Sequence, residues 1–477
     1  MAQGLLFLRH DIMLMSIRDF GKTIAAVATG RSASGIGVIR ISGSEAISIA
    51  DRVFTSINGV RLEDTPGYHA HFGKVHDAET HGDGWNDDAV ALVFRAPKSY
   101  TGEDVVELSC HGGSASTELT LAACIEAGAY PAGAGEFTRR ALENGKISLT
   151  QAEAVMSVIS AEGRQAAAIA GSVLDGKLKK RISEVIDVLK ELVVRISAWC
   201  DYPDEDEVPE ITREMLLEKL GYIAPELKKI TDEGKSAVML ENGIETVICG
   251  KPNVGKSTLM NLLAGREKSI VTDIAGTTRD IIDERVSLDG VILHIYDTAG
   301  IHETDSVIEN IGVERAEEKI DQASLVLFML DASRPIDDDD RRLMQKIHNK
   351  NCIGIINKSD IAEIAHNSIN NTNIRWVDMS AREGHGIDEL AAAVKEITGI
   401  EKLDPSAGNV INERQLACAR RAYESTAEAL ENTIAGVTFD AVNVLLYDAL
   451  DALYEMTGDK VTETVISEIF AKFCVGK

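Results

Sequence analysis

The sequence predicts a chain of three parts: an α+β N-terminal region, an all-α helical region, and an α/β P-loop nucleotide-binding unit inserted into the helical region. Three observations predict it. Gly250-Lys-Pro-Asn-Val-Gly-Lys-Ser257 fits the phosphate-binding loop pattern, between a strand-like apolar run at 246–249 and a helix-forming run at 258–264. Helical spacing flanks that unit on both sides: Ile182, Val185, Ile186, Leu189, Val193 and Ile196 before it, then Leu416, Tyr423, Ala427, Leu430, Val442, Leu445, Ala449 and Leu453 after it. Residues near 22–140 instead mix strand-like runs at 38–41, 89–94 and 105–108 with glycine turns. The divisions are an extension over 1–21, an α+β domain over 22–140, helical parts over 141–242 and 401–477, and the nucleotide unit over 243–400. A chain of 477 residues accommodates about three domains.

The nucleotide unit carries its chemistry in order along the chain. The P-loop glycines let successive N–H groups face phosphates at a helix N-terminus. Asn253, Val254, Gly255, Lys256, Ser257 and Thr258 form the core of that cradle; Lys256 suits the β- and γ-phosphates and Ser257 a Mg²⁺. Asp297-Thr298-Ala299-Gly300 follows the apolar run 291–296 and places a carboxylate near that metal. Asn357-Lys358-Ser359-Asp360 follows the run 352–356; a carboxylate there accepts from the N1–H and 2-amino group of guanine together, which adenine cannot match. Ser380, Ala381 and Arg382 follow 376–379 and resemble a second guanine-contacting loop. Four short motifs on four strand ends predict GTP over ATP.

Between the P-loop and Asp297 lies a polar stretch with Thr272, Asp273, Ile274, Ala275, Gly276, Thr277 and Thr278, where a GTPase puts its first switch. Small Ras-like GTPases orient water with a Gln directly after this Asp-Thr-Ala-Gly motif, but here the position is Ile301. His302, Glu303, Asp305 and Glu309 are the alternatives for that role. Asn253 is either a turn residue or an amide that helps hold a monovalent cation such as K⁺ against the phosphates, offsetting charge as an arginine finger otherwise does.

Composition excludes several classes. Seven scattered cysteines (110, 124, 200, 249, 352, 418, 474) without paired spacing point to a reducing, cytoplasmic setting and no structural zinc. No run of eighteen apolar residues or secretory signal is present, so no membrane partner is expected. The net charge of −27 argues against autonomous RNA binding without a local basic patch or a partner.

The chain resembles the MnmE (TrmE) family of bacterial tRNA modification GTPases from about residue 22 to its last residue. The blocks that carry the resemblance are Val38-Ile-Arg-Ile-Ser-Gly43; Ser99-Tyr-Thr-Gly-Glu-Asp-Val-Val-Glu-Leu108 with His111-Gly-Gly113; Gly135-Glu-Phe-Thr-Arg-Arg-Ala141 running into Asn144-Gly-Lys146 and Leu149-Thr-Gln-Ala-Glu-Ala154; Gly276-Thr-Thr-Arg-Asp280; and Phe473-Cys-Val-Gly-Lys477. The resemblance implies an N-terminal folate-binding and dimerisation domain, a helical domain and an inserted G domain. It implies a homodimer that works with the flavoprotein MnmG to place a carboxymethylaminomethyl-type group on the wobble uridine of certain tRNAs, with a 5-formyl-tetrahydrofolate-like donor. By motif position it implies folate contacts at Arg40, Glu107, Lys146 and Lys477. It assigns K⁺ to Asn253, Thr272, Ile274 and Thr277, Mg²⁺ to Ser257 and Thr278, and the water-orienting role to Glu309. Ala134 and Val475 depart from the family's commoner residues, and residues 1–21 precede its start. Cys474 is either a nucleophile beside the folate or a packing residue, and His111 a catalyst or a turn residue. A helix over 463–473, anchored by Val465, Ile466, Ile469 and Phe473, is expected to carry the tail into the N-terminal domain. The rival reading is a regulatory GTPase that switches ribosome or RNA assembly without modification chemistry.

Overall fold

The computed structural model describes residues 21–30, 32–77, 84–202, 210–266, 283–297, 320–361 and 374–477. The chain divides into two compact units, one formed by Met1–Met156 with Gly458–Lys477 and the other by Ser157–Thr457. The last twenty residues, expected as part of the helical region, thus cluster with the N-terminal unit.

In the first unit the elements run β1 (Ile24–Val27), β2 (Ser34–Ser42), α1 (Ala46–Val53), β3 (Phe54–Ser56), β4 (His69–His76), β5 (Asn86–Phe94), β6 (Val105–Gly112), α2 (Ser114–Glu126), β7 (Tyr130–Pro131), α3 (Glu136–Glu143) and α4 (Leu149–Ser160). Among the described residues the strands form a seven-stranded sheet in the order β3-β4-β5-β6-β2-β1-β7, mostly antiparallel. Ile39, Ile41, Val106 and Leu108 point to one face and pack with Ile49 and Val53 of α1 and Cys124 of α2. Alternation along a strand then sends Arg40 and Glu107 to the other face. The helix Glu463–Ala471 packs Phe470 and Phe473 against Ala152, Leu142 and Ile147. Burying each phenyl ring contributes about 2 kcal/mol. Phe470 replaces Val465 among the expected anchors, because the helix turns residue 470 inward and leaves 465 outside that cluster.

The second unit continues with α5 (Arg164–Leu174), α6 (Lys177–Asp201), α7 (Arg213–Asn242), β8 (Ile244–Cys249), α8 (Lys256–Arg266), β9 (Asp283–Leu288), β10 (Val291–Asp297), β11 (Leu325–Asp331), α9 (Asp338–Lys346), β12 (Cys352–Asn357), β13 (Arg375–Asp378), α10 (Ile387–Ile397), α11 (Glu413–Ala435) and α12 (Phe439–Thr457). Helix α11 packs on α7 and α12, and α12 on α6, so helices from before and after the nucleotide unit share one bundle. Among the described residues the strands from β8 to β13 form one sheet in the order β13-β12-β11-β8-β10-β9. All its pairings are parallel except the β9–β10 hairpin. Residues of β11 and β12 are buried throughout, as parallel strands covered on both faces require. Parallel order brings the C-terminal ends of β8, β10, β11 and β12 to one edge, where the P-loop, Asp297, Asp331 and Asn357 stand.

Candidate functional site

The P-loop leaves β8 at Gly250, which has φ 142° and where a Cβ would come within 2.5 Å of the Met329 carbonyl oxygen. Asn253 is exposed and left-handed at φ 66°. Lys256 is buried, and its ammonium donates to the carbonyls of Gly250 at 2.8 Å and Lys251 at 3.0 Å. Ser257 and Thr258, in the first turn of α8, are exposed. Lys251 ties the start of the loop to Asp337 and, at 3.2 Å, to Asp340 at the N-terminus of α9.

Asn357 joins the base-reading loops. Its side-chain amide donates to the Val254 carbonyl at 2.8 Å, and its Oδ1 accepts from the Ala381 N–H at 2.9 Å. Both bonds are buried, so one residue fixes the P-loop against residues 380–382. The Ser359 N–H donates to the Met379 carbonyl at 3.1 Å. Lys358 is left-handed at φ 67° and its ammonium lies 2.6 Å from Asp331. Asp360 and Arg382 are exposed on this edge, whereas Ser380 is buried. The backbone of Asp297 ends β10 beside Ile248. Thr272, Asp273, Ile274, Ala275, Gly276, Thr277, Thr278, Thr298, Ala299, Gly300, Ile301, His302, Glu303, Asp305 and Glu309 lie outside the described residues.

A second cluster forms in the N-terminal unit. Arg40 of β2 and Glu107 of β6 are direct cross-strand partners. The guanidinium meets Oε1 of Glu107 through Nε at 2.9 Å and through a terminal nitrogen at 2.8 Å. It also lies 5.4 Å from the Tyr100 ring and 5.6 Å from the Phe137 ring, within cation–π range. The tail closes on this cluster. Val475 bridges Ala134, the Gly476 carbonyl accepts from Arg40 at 3.4 Å, and the Lys477 main-chain oxygen accepts from the Phe137 N–H at 3.2 Å. Gly476 has φ 100°, and a Cβ there would run into the Val27 carbonyl. Burial, then the Arg40 charge, push the Lys477 ammonium below its ordinary value, against the pull of Glu107 and Cys474.

Arg40, Glu107 and Lys477 are therefore brought together, while Lys146 is exposed and donates to the Pro97 carbonyl at 2.9 Å. Among the described residues no bond joins Lys146 to the other three. Tyr100 and Phe137 were missed as a ring platform, although both stand inside the quoted motif blocks. Buried Arg140, bonded to Glu103, Glu136 and the Lys22 carbonyl, explains another part of those blocks as framework. Cys474 is exposed. His111 Nδ1 donates to the Asp87 carboxylate at 2.6 Å, and the Ser116 hydroxyl donates to the same carboxylate. Through these bonds Asp87 links β5 to β6 and the start of α2.

Comparison with known proteins decides the family. A model described as GTP-binding protein TrmE N-terminus matches residues 23–146, and one described as MnmE helical domain matches residues 149–474. The chain belongs to the MnmE family of tRNA modification GTPases. The tRNA modification GTPase MnmE of Clostridioides difficile is 39% identical over 95% of this chain and 99% of its own length. That of Acetivibrio thermocellus is 40% identical over the same shares. Among solved structures, Era of Aquifex aeolicus is 30% identical over 38% of this chain and 65% of its own, with a TM-score of 0.26. The chain is thus a P-loop GTP hydrolase of a tRNA-modifying family, with an α+β N-terminal part, a helical part and an α/β nucleotide part.

Proposed function

We propose that this protein is a K⁺-dependent GTPase that acts with an MnmG-type flavoprotein, as a homodimer in the cytoplasm, to add a carboxymethylaminomethyl-type group to C5 of the wobble uridine of certain tRNAs. The observation that carries the reading is the coexistence of two separate charged sites in one chain: a phosphate loop locked to a guanine reader through Asn357, and the Arg40–Glu107–Lys477 cluster completed by the tail. A regulatory switch needs only the first.

In the nucleotide site the buried Lys256 already points at oxygen acceptors, and incoming phosphates replace its loop carbonyls. Asp360 reads the guanine edge. Ser257 and Thr278 would hold Mg²⁺, and the exposed Ser257 hydroxyl is the hard oxygen donor that ion takes. Asn253, Thr272, the Ile274 carbonyl and Thr277 would hold K⁺, whose charge offsets the charge that builds on the phosphates during hydrolysis. Glu309 orients the attacking water.

In the N-terminal site two cations, Arg40 and Lys477, lie beside Glu107. Those cations suit the glutamyl tail of a 5-formyl-tetrahydrofolate-like donor. Glu107 suits its pterin amino edge, and the rings of Tyr100 and Phe137 give the site an apolar wall. Lys146 adds a cation on the loop over Pro97. GTP turnover measured in KCl and in NaCl, with and without the flavoprotein, tests the proposal. Turnover higher in KCl, lost in Asn253→Ala, and reduced about 100-fold in Glu309→Ala with GDP binding kept is expected. Equal turnover in both salts overturns the K⁺ reading.

A further inference from the structure

Asp331 ends β11 in register with Asn357 on β12, and the Ala332 N–H donates to the Asn357 carbonyl at 2.8 Å. Its carboxylate side chain is only 4% exposed. One oxygen, Oδ1, is fixed by the Ser333 N–H at 2.9 Å and the Ser333 hydroxyl at 2.6 Å. The other, Oδ2, is left for the Lys358 ammonium at 2.6 Å, with Arg334 at 3.3 Å from the same oxygen. Lys358 is the second residue of the guanine reader, and its backbone sits in the left-handed region that a long side chain rarely adopts. Asn357 before it is clamped by two buried bonds, so Lys358 has a fixed base and, through Asp331, a fixed tip.

We propose that Asp331 is a positioning residue of the guanine site, which holds the Lys358 side chain as a preformed wall of the base pocket. Preorganisation of that kind lowers the ordering cost of binding and slows release of the nucleotide. Arg334, half-exposed, bears on the same oxygen and adds a second cation beside it. The carboxylate is charged at any physiological pH. Burial opposes that charge, but the bonds from Lys358 and Ser333 outweigh it and bring the pKa down to about 2. The pairing is thus permanent rather than pH-gated.

The inference rests on residues 357–360 being the guanine reader, which a separate measurement checks. Asp360→Asn should exchange preference from GDP to XDP, because xanthine offers a 2-carbonyl where guanine offers a 2-amino group. Failure of that exchange removes the reader assignment itself. For Asp331, fluorescent GDP affinity and release rate are measured on the full chain for Asp331→Asn, Lys358→Met and the double variant, with thermal unfolding as the folding control. Each single change should weaken GDP about tenfold, mostly through faster release, and the double should be no worse than the weaker single. Asp331→Glu should recover most of the affinity. Multiplying effects in the double, or unchanged GDP release in Asp331→Asn, overturns the proposal while leaving the Asp360 result standing. If Asp331→Asn does not fold, Ser333→Ala removes the hydroxyl bond to Oδ1 and keeps the backbone one. Faster release in that variant, abolished in the Lys358→Met background, supports the proposal, and unchanged release overturns it.

Discussion

In the N-terminal cluster Arg40 and Glu107 neutralise each other across two strands, whereas at the phosphate loop Lys256 leans on carbonyls of its own turn. Formal charges already paired must exchange partners before a ligand enters. Carbonyl dipoles give up a lysine to phosphate at lower cost, because a charge–charge contact replaces a charge–dipole one. The first cluster also draws on distant chain segments, strands β2 and β6, the turn before α3 and the tail. The second rests on strand ends already aligned by one sheet. The N-terminal site should therefore be sensitive to loss of a remote part, and the nucleotide site to damage at its central asparagine.

The largest break in that comparison is removal of residues 473–477. It should abolish folate binding and tRNA modification yet leave GTP turnover within about twofold, since none of these residues contributes to the P-loop or base-reading loops. Loss of turnover in the truncated protein would show that the two sites are not independent. Next is Asn357→Ala, which leaves the Val254 carbonyl and the Ala381 N–H buried without their partner. Each orphaned group costs about 1–3 kcal/mol. GDP binding by calorimetry should be lost or nearly so, with folate binding unchanged. Gly476→Ala is a graded version of the truncation. Its Cβ would overlap the Val27 carbonyl at a positive φ, so folate affinity should fall about tenfold without a change in GDP affinity.

The smallest effect lies outside both sites and calibrates them. The Asp87 bond raises the His111 pKa above the ordinary histidine value, with a further rise from the Asp87 charge. Whatever stability this pair lends is full below the ordinary histidine value and fades as pH rises through the raised one. In an NMR titration, His111 should titrate above the ordinary histidine value and fall back towards it in Asp87→Asn. GTP turnover and folate binding should not follow that titration.

The legible parts of the molecule were those where a short motif coincides with a strand end. Strands around 38–41, 89–94, 105–108 and 352–356 and the helices after 164 and 412 stand where periodicity placed them. Helix α7 lies in the part expected to be helical but was not read as an element of its own, although Leu216, Leu220, Ile223, Leu227 and Ile230 keep a helical stripe, because Pro225 interrupts it and its surroundings are charged. Strand β11 was equally silent. It is continuously apolar, and its last residue, Asp331, gains meaning only when β12 is laid beside it. Arg40 and Glu107 were named from motif position, but that they would face each other follows from antiparallel register, which no local pattern encodes. Lys146 matches by motif and yet stands on a different loop contact from the other three.

The bond from Arg40 to Gly476 spans 436 positions. During translation the strands that carry Arg40 and Glu107 emerge first, and the groups that close their charged cluster follow about 20–90 s later at ordinary elongation rates. Until then the Arg40–Glu107 pair lacks its bond to the tail, and the turn before α3 has no tail to receive. The cluster therefore waits on a remote segment: a chain stopped anywhere in the helices or the nucleotide unit lacks the finished site.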